Sequence, residues 1–127
     1  MNKNKILVVD DEPNNQRILT YTLNKAGYEC TAIADGENTL RWLQNNLPDL
    51  AILDVSMPGM DGITLLSHIR QDNKFENLPI IILTGSGDDD ERQRAEQLGI
   101  QGFLTKPASS KTVLDVVSGL LEHDPKS

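Results

Sequence analysis

The 127-residue sequence predicts an α/β fold: a doubly wound sheet of five parallel strands in the order 2-1-3-4-5, with five helices on its two faces. Three observations predict it. Short apolar runs alternate with segments of helical spacing, which is the rhythm of repeated βα units. No two runs are joined by a two-residue turn, so neighbouring strands are parallel and need crossover connections. Right-handed crossovers that reverse direction across the sheet once then lead to the order 2-1-3-4-5, with strands 1 and 3 side by side at the switch point.

The first strand runs from Lys5 to Asp10; the others run from Glu29 to Ala34, Leu50 to Asp54, Pro79 to Thr84 and Gly102 to Lys106, each too short for a helix. The first helix spans Pro13 to Ala26. Its Pro is at a tolerated early position, Ile18, Leu19, Leu23 and Ala26 share one face, and Gly27 is its stop. The second, from Gly36 to Leu47 after an Asp35 cap, sets Leu40, Leu43 and Leu47 on a stripe that Pro48 ends. Trp42 lies off that stripe, either half-buried or part of a contact surface. The third helix, Gly62 to Gln71, turns Ile63, Leu66 and Ile69 one way, and the fifth, Ser110 to Glu122, carries Val113, Leu114, Val117, Leu120 and Leu121. The fourth, Asp88 to Leu98, has almost no apolar residues besides Ala95 and Leu98 and is expected to dock weakly.

The length fits one domain over 1–127, with about 122–127 as a polar tail. The single cysteine, Cys30, forms no internal bridge, and MNKNK leads straight into a strand rather than a long apolar signal segment, so the expected location is cytoplasmic. No apolar stretch approaches the roughly 20 residues a membrane span needs. Twelve Lys and Arg against 19 Asp and Glu give a formal charge of −7, which argues against direct nucleic-acid binding.

Chemistry-bearing residues stand where the apolar runs stop. Asp10 and Asp11 end the first, Asp54 the third, Thr84 the fourth, and Lys106-Pro107 the fifth. In an open parallel sheet the carboxyl ends of the strands line one crevice, and the strand order makes Asp10, Asp11 and Asp54 neighbours there. A double Asp alone is equally a helix cap; polar residues ending four strands on one edge of the sheet are a site. Clustered carboxylates require a cation, and oxygen donors without His or Cys favour Mg²⁺, which is usually completed by phosphate oxygens. Asp54, on the middle strand, is placed as nucleophile, while Lys106 and Thr84 supply a positive charge and a hydroxyl to a phosphoryl group.

The motifs VVDDE at 8–12, LDVSMPGMDG at 53–62, ILTG at 82–85 and FLTKP at 103–107 resemble, in this order, those of bacterial response-regulator receiver domains of the chemotaxis-regulator type. The likeness covers essentially the whole chain and implies the flavodoxin-like form of the doubly wound fold. It implies that Asp54 accepts a phosphoryl group from a sensor histidine kinase or phosphotransfer protein, and that Asp10, Asp11, Asp54 and the Ser56 carbonyl surround Mg²⁺. It implies that Lys106 and Thr84 contact the phosphoryl oxygens and that the bond to Pro107 is cis. The likeness further implies that on phosphorylation Thr84 moves toward the phosphoryl group and Phe103 swings inward; many relatives have Tyr at this position, and Phe packs without the hydroxyl's hydrogen bond. Ser56 and Ser86, each two residues beyond a site residue, are expected to tune the lifetime of the phosphorylated form. The resemblance also implies that helix 4, strand 5 and helix 5 form the signalling face toward a downstream protein, an output domain or a dimer partner.

Other features are read as bland. Asp88-Asp89-Asp90-Glu91 lacks the spacing of a calcium loop and suits a helix N-terminus, and Gly85-Ser86-Gly87 opens no dinucleotide fingerprint. His68 and His123 fall far from the acids, on or near exposed helical surfaces, and Cys30 reads as an ordinary strand residue. The runner-up function is a Mg²⁺-dependent phosphohydrolase of the haloacid dehalogenase type. Such enzymes carry a second Asp two residues after the nucleophile, where this chain has Ser56, and no room remains for a substrate-binding cap. A flavin module is disfavoured by Asp10-Asp11-Glu12 where a phosphate needs donors, and complete motifs argue against a receiver-like scaffold that works without phosphate.

Overall fold

The computed structural model describes residues 3–85 and 88–121. Its strands are β1 (Lys5–Val9), β2 (Glu29–Ile33), β3 (Leu50–Asp54), β4 (Ile80–Thr84) and β5 (Gly102–Thr105). Its helices are α1 (Pro13–Lys25), α2 (Gly36–Leu43), α3 (Gly62–Arg70), α4 (Asp89–Leu98) and α5 (Ser110–Leu121), with a 3₁₀ turn at Asn73–Phe75. All pairings are parallel, in the order β2-β1-β3-β4-β5. Asp10 and Lys106 lie one residue past their strands rather than inside them. The ladder nonetheless reaches them, since the Asp10 N–H donates to the Ile33 carbonyl (3.1 Å) and the Lys106 N–H to the Thr84 carbonyl (2.7 Å).

The central strands β3 and β4 are buried throughout, because each is covered on both faces and period-2 alternation serves two cores. Leu7, Val9, Ala51, Leu53, Ile80 and Ile82 point toward α2, α3 and α4; Ile6, Val8, Leu50, Ile52, Ile81 and Leu83 point toward α1 and α5. α3 supplies the first core with Ile63, Leu65, Leu66 and Ile69, and α5 the second with Val113 and Val117. α4 fully buries only Ala95 among its described residues, with Leu98 partly buried. Trp42 is likewise partly buried against the first core.

Several helical positions differ from the sequence expectation. In α1 the buried stripe is Leu19 and Leu23, one turn apart, while Ala26 is exposed at the C-cap and Ile18 is 57% exposed. Ile18 lies about 100° around the helix from Leu19 and lines a cleft with Pro107, Ala108 and Val113 instead of entering the core. α2 stops at Leu43, leaving Leu47 58% exposed. Its last carbonyls are capped from outside: Lys74 Nζ donates to the Leu43 carbonyl (3.0 Å) and Asn46 Nδ2 to the Trp42 carbonyl (2.8 Å). Pro48 disfavours helical backbone at Leu47, so the stripe ends a turn early. Glu122 and the polar tail lie outside the described residues.

The helix starts are capped by the residues the chain offers there. Asp35 Oδ1 accepts from the Asn38 N–H (2.8 Å), Asp61 Oδ1 from Thr64 (2.8 Å) and Asp88 Oδ1 from Glu91 (2.8 Å). The two hydrogen bonds from Asn38 hold the Asp35 carboxyl below its ordinary range. Among the described residues no helix is long and apolar enough to cross a membrane.

Candidate functional site

The carboxyl ends of β1, β3, β4 and β5 bring Asp10, Asp11, Asp54, Thr84 and Lys106 to one edge of the sheet. One carboxylate oxygen from each of Asp10, Asp11 and Asp54 lies within 4.8 Å of the others. Asp10 (1% exposed) and Asp54 (3%) are buried, while Asp11 faces solvent. The Lys106 ammonium stands between the buried pair, 3.2 Å from Asp54 Oδ1 and 3.5 Å from Asp10 Oδ2.

Each carboxylate is oriented by local backbone. Asp10 Oδ1 accepts from the Glu12 N–H (2.9 Å), and Asp54 Oδ1 from the Ser56 N–H (3.4 Å). The Gln16 side-chain amide donates to the Asp10 carbonyl, tying α1 to the strand end. Beyond β3, the Gly62 N–H donates to the Val55 carbonyl (3.0 Å), and a Cβ on Gly62 would overlap the Asp54 carbonyl oxygen. A glycine is therefore required for α3 to approach the strand that carries Asp54. The peptide bond between Lys106 and Pro107 is cis.

Burial, and then the neighbouring Asp10 charge, push the Asp54 carboxyl above its ordinary range; Lys106 and the Ser56 N–H oppose this without cancelling it. Asp10 Oδ2 is buried without a hydrogen-bond partner among the described residues. Buried acceptors are rarely left so. A buried carboxylate oxygen that has an ion pair with Lys106 but no hydrogen bond, two further carboxylates in reach and only oxygen donors fit a hard divalent cation such as Mg²⁺.

Thr84 is fully buried at the end of β4, and its Oγ1 donates to Glu91 Oε1 on α4 (3.1 Å). Phe103, paired in register with Ile82, is half-buried on the same side of the sheet, with the Arg92 guanidinium 5.3 Å from its ring centroid. Ser56 is exposed on the loop after β3. Ser86, Gly87 and His123 lie outside the described residues, and His68 is exposed, away from the acids. Cys30 sits half-buried in β2, where burial pushes its thiol up to about 11 and keeps it protonated at neutral pH.

The sequence reading did not single out Glu91, Arg92, Gln16 or Gly62. Glu91 was visible only as one of four acids at a helix start; the signal available was its position one turn into the helix that covers the Thr84 side of β4.

Residues 6–118 match the family described as response regulator receiver domain. The chain is 39% identical over 119 residues to the phosphate regulon transcriptional regulatory protein PhoB of Rhizobium meliloti, covering 94% of this chain and 52% of that protein. It is 40% identical over 122 residues to the sensor histidine kinase RcsC of Escherichia coli, covering 96% of this chain and 13% of the kinase. Among solved structures, the chemotaxis protein CheY4 of Vibrio cholerae superposes with a TM-score of 0.90 at 32% identity, covering 94% of this chain and all of that one. The chain spans about half the length of the first curated relatives it matches.

Proposed function

The chain belongs to the response regulator receiver domain family of two-component signalling, and from this premise we propose that it is a phosphorylation-activated switch whose acceptor is Asp54. The observation that carries the reading is the Lys106 ammonium set between the buried carboxylates of Asp54 and Asp10, whose Oδ2 has no hydrogen bond among the described residues.

An Asp54 carboxylate oxygen attacks the phosphorus of a phosphohistidine on a sensor kinase or phosphotransfer protein. The new P–O bond forms as the P–N bond breaks, and the electron pair leaves on the imidazole nitrogen. Asp10, Asp11, Asp54 and the Ser56 carbonyl are the residues that would hold Mg²⁺, which when bound supplies positive charge to the phosphoryl oxygens. Lys106 already pairs with Asp54 and neutralises the charge gathering on the transferred group, and the Thr84 hydroxyl completes the donors. Ser56 and Ser86 govern how water reaches the acyl phosphate and so its lifetime. Thr84 and Phe103 relay the change to the face of α4, β5 and α5, which acts on a downstream protein, an output domain or a second copy of the chain. The residues 1–127 act as one receiver domain, and the phosphoryl chemistry is confined to its own Asp54.

The test is incubation with Mg²⁺ and acetyl phosphate followed by intact-mass measurement. A phosphoryl adduct on the wild type that is absent from Asp54→Asn is the expected outcome; an undiminished adduct in Asp54→Asn, or none in the wild type, refutes the assignment.

A further inference from the structure

Strand parity sends Thr84 and Phe103 to one side of the sheet. Ile80 and Ile82 face the core under α2, α3 and α4, so Thr84, two residues further along β4, faces α4 as well. Phe103, opposite Ile82, shares that side. Two consecutive residues of α4 meet them: Glu91 accepts the Thr84 hydroxyl proton, and Arg92 lies over the Phe103 ring. Arg92 is held in turn by Glu96 one turn on (3.3 Å). Glu91 is half-buried, where a hydrogen bond to a charged acceptor is strong for its class.

We propose that Glu91 and Arg92 are positioning residues that clamp Thr84 and Phe103 in the resting arrangement and set how much phosphoryl donor is needed to release them. The proposal rests on the functional reading above, in which Thr84 turns its hydroxyl to the phosphoryl group and Phe103 moves inward. The Thr84 hydroxyl has one proton and cannot donate to Glu91 and a phosphoryl oxygen together. Engaging the phosphoryl group therefore gives up the Glu91 contact, and moving the ring inward gives up the Arg92 contact. Both losses fall on one turn of α4, so this pair couples the chemistry at the strand ends to the position of that helix.

The experiment measures the acetyl phosphate concentration that half-saturates phosphorylation in Mg²⁺, by intact mass, with a stability cycle in urea as a second measurement. Glu91→Ala is expected to lower the half-saturating concentration about tenfold, the factor equivalent to about 1.4 kcal/mol and near the lower edge of what a hydrogen bond to a charged acceptor contributes. Arg92→Ala lowers it about threefold, in line with an exposed cation–π contact. Glu91→Gln retains a neutral acceptor of about half the strength and falls between the wild type and Glu91→Ala, and Asp90→Ala, with the same charge change on the same helix, stays unchanged. In the unphosphorylated chain, Thr84→Val and Glu91→Ala are non-additive by about tenfold in the folding equilibrium. A wild type that takes no phosphoryl group overturns the functional reading and the clamp with it. A wild type that phosphorylates while Glu91→Ala matches it or Asp90→Ala, or an additive cycle, overturns the clamp alone.

Discussion

Replacing Lys106 with Met removes the one cation that faces both buried carboxylates among the described residues while keeping most of the side chain's length. At 3.2 Å and 3.5 Å its ammonium attracts Asp54 and Asp10 by about 5 kcal/mol each at an effective dielectric near 20. Much of that gross attraction offsets the cost of taking the charges out of water. Removing one partner of a fully buried pair costs about 3–5 kcal/mol. The Lys106 side chain is 26% exposed, so water takes over part of its role, and the expected loss is about 2–3 kcal/mol. With a urea slope of about 1–3 kcal/mol/M for a small domain, that lowers the midpoint by about 1–2 M.

The informative comparison is the same pair of proteins in excess chelator and in saturating Mg²⁺, unfolded in urea and followed by far-ultraviolet circular dichroism. An ion held by Asp10, Asp11 and Asp54 stabilises the folded wild type by about 2.7 kcal/mol at a hundredfold excess over its Kd. The variant, freed of the repulsion between ammonium and metal, binds the ion more tightly and gains more. The gap between the two proteins should therefore shrink by at least about 1 kcal/mol in Mg²⁺. Lys111→Met, whose partner Asp115 lies one turn away on the exposed face of α5, serves as a control that moves in neither condition. A Lys106→Met deficit of the same size with and without Mg²⁺ would refute the inference that lysine and metal act on the same carboxylates.

Two further predictions use the same apparatus. Because burial and Asp10 raise the Asp54 carboxyl, the folded chain takes up that proton more readily than the unfolded one. Asp54 therefore favours folding below the unfolded carboxyl range near about 3.9 and loses that contribution as pH rises through its raised folded value. Asp54→Asn in chelator should then be more stable than the wild type at pH 7, with the gap closing as pH falls through the raised folded value and gone by about 4; a variant less stable at pH 7 contradicts the sign. Gly62→Ala forces a Cβ into the Asp54 carbonyl and should cost about 1–3 kcal/mol as α3 is pushed from β3, read from the same urea midpoints. An unchanged midpoint there would show that α3 tolerates displacement.

Strand order and the buried strands β1, β3 and β4 were legible because central parallel strands covered on both faces read as unbroken apolar runs, and only a few topologies join such runs; the edge strands β2 and β5 are only half-buried. The convergence of Asp10, Asp11, Asp54, Thr84 and Lys106 followed from that order alone. Positions set by tertiary capping were not legible. Leu47 fits a helical stripe in the sequence and Pro48 marks its limit, but where α2 stops, the open Leu43 carbonyl is taken by Lys74, 31 residues away, a partner no local pattern marks. Arg70 is a stronger case: its guanidinium donates to the carbonyls of Phe75 (2.7 Å), Leu78 (2.8 Å) and Gly99 (2.8 Å), joining α3, the 3₁₀ turn and the end of α4. Every residue offers a carbonyl, so no pattern of residue types marks such acceptors. Glu91 was obscured differently. An acid near a helix start already has a sufficient explanation in the helix dipole, and only the placement of Thr84 beneath it gives it a second role.

In the switch proposed above, the uneven anchoring of the helices would give one site a rigid input and a movable output. α3 buries four large apolar side chains beside Gly62, worth roughly 6–12 kcal/mol at about 1.5–3 each. α4 buries Ala95 and part of Leu98, roughly 1–2 kcal/mol on the same scale. A new contact to one phosphoryl group amounts to a few kcal/mol, and a ligand shifts an equilibrium only by its differential affinity for the two states. That is too little to move α3, which holds Asp54 in place through Gly62, and enough to move α4. On that proposal the polarity of α4 is a requirement of the response: an apolar face there would add docking energy that a single acyl phosphate could not overcome, and a change at Asp54 would stay at the strand ends.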